Sequence, residues 1–413
     1  MSKVLFTNCH IVDATSVNVR KNMNLLVQDD VIAVISPEPI QQEGAQIIDV
    51  CGRFLMPGLI DNHVHVTAAK FDLANEWIPD SHISVQAAKF MENMLQRGFT
   101  SIRDTGGADF GLADAVDSGL IIGPRLFFGG KALSQTGGHG DFRQANIGGR
   151  DLCGCACSGS SVSRIADGVT EIRKAVREEI RRGAHHIKIM VSGGAVSPTD
   201  RISNLQYSFE EISAAVEEAR NAGIYVLAHC YTAEGISRCV ALGVRTIEHG
   251  NLLNHEAAQN MAKYGAYLVP TLVIYDSLYL QGKENGISAD SLSKVEQVRS
   301  AGLQSIRIAR ANRVKVGFGT DLLGMVGHTW QCKEFSIRAQ IETPLEILGS
   351  ATLVNAEILN QEDKLGVVAE GAYADLLVVT HNPLEDITVL SDPAAHLDLV
   401  MKAGVIYKNR LAG

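Results

Sequence analysis

The 413-residue sequence lacks any apolar run of the roughly 20 residues that a membrane-spanning helix needs. No secretory leader is expected from the opening "MSKVLFTNCHIVDA", whose one lysine is followed by a short apolar stretch broken by Asn8 and His10. The sequence lacks a basic block, and its net charge is −9, which argues against nucleic acid as a partner. Mild acidity of this kind reports on solubility rather than substrate. None of its eight cysteines stands in the C-x2-C spacing of structural zinc sites. The run "CGCAC" spaces Cys153, Cys155 and Cys157 one residue apart and is not expected to hold metal. Scattered cysteines without a leader read as the reduced thiols of a cytoplasmic protein.

What is present is a globular composition, 46% hydrophobic and 20% charged, on a chain long enough for one large domain or two ordinary ones. Residues 1–56 are rich in short β-like runs, "VLFTNCHIV", "NLLVQDDVIAVI" and "AQIIDVCGRFLMPG". The last fifty residues repeat that texture in "YADLLVVTH" and "LDLVMKAGVIYKNRL". Between them stand eight strand-like runs: "GLIDNHVHV", "TSIRDTG", "RLFFGGKAL", "HIKIMVSGG", "YVLAHC", "TIEHG", "YLVPTL" and "KVGFGTD". Helical stretches are predicted at 83–97, 164–182, 209–221, 233–242, 254–263 and 290–313. The segment "SRIADGVTEIRKAVREEIRRG" offers a serine cap at its start and a glycine at its end. The alternation predicts an α/β fold, a (β/α)8 TIM barrel over 57–361. A small β-sandwich domain built from both termini, 1–56 plus 362–413, is expected beside it.

TIM barrels place their chemistry at the C-terminal ends of the strands. His63, His65, His229 and His249 fall at those ends on strands one, five and six, and Asp321 on strand eight. Lys188 lies within strand four. Side chains two apart on a strand share a face, so His63 and His65 present paired imidazoles to one cation. Imidazole nitrogens suit zinc and similar ions.

The motifs "PGLIDNHVH", "TIEHG" and "GFGTD", with the closing "LGVVAEGAYADLLVV", together resemble the amidohydrolase superfamily of metal-dependent hydrolases, over essentially the whole chain. The resemblance implies a first metal on His63 and His65 and a second on His229 and His249. It gives Asp321 a place on the first metal and the handling of the proton. A lysine ammonium cannot ligate a cation, but a lysine near positive charge is pushed toward its neutral form, which can take up carbon dioxide. Binuclear members of the superfamily bridge their metals in this way from strand four. The resemblance therefore implies an N6-carboxylated Lys188 between two divalent ions, zinc by default, with manganese or cobalt fitting the same ligands. The alternative is a lysine paired with a core carboxylate. His186, on the same face as Lys188, is expected to be a packing residue, and His10, His82, His255, His381 and His396 to be ordinary.

Two divalent ions lower the pKa of water enough to supply a nucleophile near neutral pH, with Asp321 as base and then acid. His139, in the loop "QTGGHGD", and Tyr231, in "AHCYT", are candidate donors to the oxyanion. The nearest likeness is to the subgroup holding imidazolonepropionases, metal-dependent prolidases and carboxypeptidases. Imidazolonepropionases carry a glutamate three residues after the strand-five histidine and lack the strand-four lysine; here Thr232 and Lys188 occupy those places. "VSGGAVSPTDR" with "HCYT" resembles the dipeptidase-like members. The expected activity is that of an Xaa-Pro-type dipeptidase or a carboxypeptidase-like enzyme. An amidase, a lactonase or an imidazolonepropionase-like enzyme is the alternative, and a non-enzymatic scaffold the distant one. Arg201 is expected to pair with a substrate carboxylate and His328, in "GMVGHTW", to line the pocket. The expected partners are a small substrate and further copies of the same chain, with neither nucleic acid nor membrane.

Overall fold

The computed structural model describes residues 2–71, 73, 78–143 and 161–411, so the "CGCAC" run lies outside the described residues. Lys3–Ile11, Arg20–Gln28, Val31–Ser36, Gln46–Asp49 and Phe54–Pro57 join Leu376–Val379, Leu397–Lys402 and Val405–Asn409 in one eight-stranded sheet. Lys3–Ile11 pairs in parallel with Gln46–Asp49 along its first half and with Phe54–Pro57 at His10 and Ile11. That branch lets strands from both chain ends enclose one apolar core, including Phe6, Leu25, Leu55, Leu376 and Leu399.

Gly58 carries the chain from this sheet into the first barrel strand, Leu59–Val64, which pairs in parallel with Phe99–Asp104 and that in turn with Arg125–Phe128. Ala132–Ser134, His186–Met190, Tyr225–Thr232, Thr246–Leu252 and Tyr267–Val269 continue the parallel order. Every residue of Leu59–Val64, Phe99–Asp104 and His186–Met190 is buried, as parallel strands covered by helices require. The eighth position is filled by 314–321 with little regular strand. Gly317 N–H donates to Leu268 at 2.8 Å, Asn62 N–H to Phe318 at 2.9 Å and Asp321 N–H to His63 at 2.7 Å. These bonds close the barrel.

Three expectations change. "RLFFGGKAL" is two strands, broken at Gly129 and Gly130. Gly130 has φ +70°, and a Cβ at Gly129 would sit 2.8 Å from His186 Nε2. The helix expected from 164 starts at Gly168, because Ser163–Ile165 spends its backbone on a ladder with Ala132–Ser134; Asp167, not a serine, precedes the helix. A further helix, Leu272–Gln281, follows the seventh strand. It is apolar nearly all round, so it shows no helical period in the sequence. Phe209–Asn221 forms as expected, with Ser208 and Glu211 making a reciprocal capping box. Among the described residues, no helix is long and apolar enough to cross a membrane.

Candidate metal centre

One cavity of about 530 Å³ opens at the C-terminal ends of the barrel strands. His63, His65, Lys188, His229, His249 and Asp321 all line it, and so do His139 and Tyr231. His63 Nε2 and His65 Nε2 each lie 3.3 Å from Asp321 Oδ1, and His249 Nδ1 lies 3.9 Å from Oδ2. Ligand atoms of His63, His249 and Asp321 fall within 4.8 Å of one another. The ring of His229 is 4.6 Å from that of His249 and 4.1 Å from that of His139.

Each of the four imidazoles has one nitrogen held closely by the protein, and His65 has a longer second contact, Nε2 to Thr105 Oγ1 at 3.3 Å. His63 Nδ1 is 2.6 Å from Glu248 Oε2, and His65 Nδ1 is 2.8 Å from the Gly106 carbonyl. His229 Nε2 is 3.2 Å from the Gly193 carbonyl, and His249 Nδ1 is 2.8 Å from Thr271 Oγ1. Carboxylate and carbonyl partners take an N–H, so the lone pair of those rings sits on the other nitrogen, the pattern of metal-ligating histidine. His63 Nε2 is buried with no hydrogen-bond partner among the described residues. A buried nitrogen left so costs about 1–3 kcal/mol, which a cation at Asp321 would relieve. The residues fit a divalent metal.

The electrostatics agree. Burial pushes His229 and His249 well below the ordinary imidazole value and so keeps them neutral. Burial pushes Lys188 down to about 8, and Lys188 forms no ion pair with any described carboxylate. The paired-lysine alternative therefore finds no partner among the described residues. Burial would raise Glu248, but Arg103 at 2.9 Å and His63 outweigh it and hold the carboxyl well below the usual range. Arg103 and Glu248 are both fully buried. Replacing Arg103 with methionine should leave that buried carboxylate without its guanidinium and lower the unfolding free energy by about 3–5 kcal/mol. Urea unfolding measures it; an unmoved midpoint would show the pair to be energetically idle.

His249 at φ +72° and Asp321 at φ +54° are non-glycine residues in the left-handed region. Such backbone costs on the order of 1 kcal/mol or more and persists where surrounding contacts over-determine it. Here the hydrogen bond from Asp321 N–H to His63 turns the carboxylate toward the imidazoles.

Two expected residues fall elsewhere. Arg201 is exposed and does not line the cavity; its backbone N–H is tied to Asn204. His328 is buried against Phe90, ring centroids 4.1 Å apart, with neither ring nitrogen partnered among the described residues. It too is absent from the lining. His186 packs as expected, its Nε2 on the Asp104 carbonyl. Residues the motifs did not reveal are Tyr275, whose hydroxyl donates to Tyr231 at 3.1 Å, and Thr271 behind His249. Both come with the seventh strand and the helix that follows it.

A sequence model of the Amidohydrolase family matches residues 54–407, and the chain belongs to that family. It is a hydrolase acting on carbon–nitrogen bonds, in a family whose members generally use divalent metals. The chain is similar to the crystal structure of a prolidase complexed with N-methylphosphonate-L-proline: TM-score 0.96, 46% identity, covering 99% of this chain and 100% of that one. It is also similar to a Xaa-Pro dipeptidase with methionine bound in the active site: TM-score 0.88, 30% identity, 99% and 100% coverage. Ochratoxinase of Aspergillus niger is 32% identical over 94% of this chain and 83% of its own length.

Proposed function

We propose that this chain is a binuclear metal-dependent dipeptidase that cleaves Xaa-Pro or a similar small, largely apolar dipeptide. The observation that carries the reading is the set of four imidazoles, each oriented by a close hydrogen bond at one nitrogen, around Asp321 and Lys188 in one cavity. Likeness to a prolidase and a Xaa-Pro dipeptidase supports the substrate class.

His63, His65 and Asp321 would hold one ion, His229 and His249 the other, and a carboxylated Lys188 would stand between them. Divalent ions bound there, zinc by default, would supply a water nucleophile near neutral pH and would polarise the scissile carbonyl. Asp321 accepts the proton of that water and delivers it to the leaving nitrogen. Tyr275 donates to the Tyr231 oxygen, which leaves the Tyr231 O–H free to donate to a substrate oxygen. His139 presents its ring beside His229 to the same oxygens. Phe142, Ile274 and Leu278 form an apolar wall for the substrate side chains. Since Arg201 stands outside the cavity and no arginine lines it among the described residues, hydroxyl and imidazole groups are the described candidates to meet the substrate's carboxylate.

The test is a dipeptide library on zinc-loaded protein, read as free amino acids, beside lactones and cyclic amides. Release of proline from Xaa-Pro is expected. Turnover of lactones or cyclic amides with no rate on any dipeptide would replace this reading with the amidase or lactonase one, and no rate on anything would leave the scaffold. Self-association and a cytoplasmic location remain part of the proposal. Light scattering of the purified chain checks the first, a mass of one chain counting against it.

A further inference from the structure

The loop after the fourth barrel strand carries three buried polar side chains that the chemistry above does not use: Ser197, Asp200 and Gln206. They lead to His139. Its Nδ1 lies 2.9 Å from Ser197 Oγ, and the Ser197 hydroxyl donates to Asp200 Oδ1. Its other contact, to the Gly194 carbonyl, is longer at 3.5 Å. The second oxygen of Asp200 accepts from Gly194 N–H and from Gln206 Nε2, each at 3.0 Å. Gln206 Oε1 in turn accepts from His139 N–H at 2.9 Å, so one side chain ties the carboxylate and the histidine backbone together. Lys294 holds the loop from outside through the carbonyls of Ser197 and Asp200, at 3.1 and 2.8 Å. The imidazole lies flat against Gly194, where a Cβ would stand 1.8 Å from Nδ1.

A serine hydroxyl has one proton to give. Here Asp200 receives it, so Ser197 can only accept at His139 Nδ1, and that nitrogen must carry the hydrogen. Nε2 bonds to no described residue and belongs to a ring that lines the cavity. An aspartate that fixes the tautomer and plane of an imidazole does the same work in a Ser–His–Asp triad; here a hydroxyl is inserted between them.

We propose that Asp200, acting through the Ser197 hydroxyl, is a positioning residue that sets the ring plane and the Nδ1–H tautomer of His139, so that Nε2 is the nitrogen offered to the substrate. The proposal rests on reading the cavity as the hydrolytic site. It also makes a sharp statement about Asp200→Asn. An asparagine there keeps its oxygen toward Gly194 and Gln206 and turns its amide N–H toward Ser197. The hydroxyl proton then points at His139, and the hydrogen moves from Nδ1 to Nε2.

The test uses zinc-loaded protein labelled with 15N-histidine, the His139 signals being assigned by their absence from His139→Gln. The parent should show the proton on Nδ1 and Asp200→Asn should show it on Nε2, at unchanged metal content. On alanyl-proline, Asp200→Asn should lower kcat by about 10²-fold or more with little change in KM; the direct aspartate of a triad is worth about 10⁴. Placed on His139→Ala, the same substitution should cost nothing further, because its effect runs through that ring. A parent with the proton on Nε2, or equal losses with and without His139, would overturn the relay. A parent that spares alanyl-proline yet shows the expected spectra would fail the dipeptidase reading and leave the relay standing.

Discussion

Asp321→Asn should lower kcat by roughly 10³–10⁴-fold, the upper range of what a positioned acid–base group contributes. Its oxygens are the point on which the site converges, 3.3 Å from both His63 Nε2 and His65 Nε2 and 3.9 Å from His249. On the proposed mechanism the neutral amide removes the anionic ligand and the proton acceptor in one step while keeping the volume. Asparagine is the right probe because φ at this position is +54°, a conformation it tolerates better than alanine does. Circular dichroism and the unfolding midpoint should therefore stay close to the parent while metal content and rate fall. A variant that keeps its metal and stays within tenfold of the parental kcat would remove Asp321 from the chemistry and leave it a structural turn.

The sequence made some of this legible and hid the rest for physical reasons. His63 and His65 declare themselves because a strand repeats every two residues, so their spacing alone puts both on one face. His229, His249 and Asp321 are readable because each ends a short β-run, where a barrel keeps its functional groups. Glu248 stands beside His249 in "TIEHG" and still escapes notice, since its role appears only once Arg103 and His63 close around it. Tyr275 is hidden by its helix, buried along most of its length and therefore without a polar stripe. The motif "VSGGAVSPTDR" marks a functional loop, but the natural candidate in it, Arg201, points to solvent. Its neighbour Asp200 turns inward because Gly194, Ser197 and Gln206 supply donors there. His328 reads as a pocket residue by its place after the eighth strand. Which way such a loop folds depends on Phe90, a distant residue that local pattern does not connect to it.

Lys188→Ala separates the carbamate proposal from every structural reading of the lysine. Lys188 is buried in the lining of the cavity and has no carboxylate partner among the described residues, so as an ammonium it would repel the cations the histidines are arranged to hold. As a carbamate it is an anion on a four-carbon stem and supplies the ligand that the two histidine pairs lack between them. The truncated protein should bind about one divalent ion or fewer, against about two in the parent, and lose activity on dipeptides nearly completely. Metal analysis of the dialysed protein and kcat with metal in excess measure both. Reloading provides an independent check: metal-free parent should recover activity with zinc faster in bicarbonate than in buffer purged of carbon dioxide. Alanine here and truncation of an ordinary buried lysine differ in a further way. If the amine served only as packing, Lys188→Met would be as active as the parent. On the carbamate account Lys188→Met is inactive, and after chelation it is at least as stable as the parent, because methionine fills the same space without burying an unpaired ammonium. Two tightly held ions in Lys188→Ala, or an active Lys188→Met, would end the account.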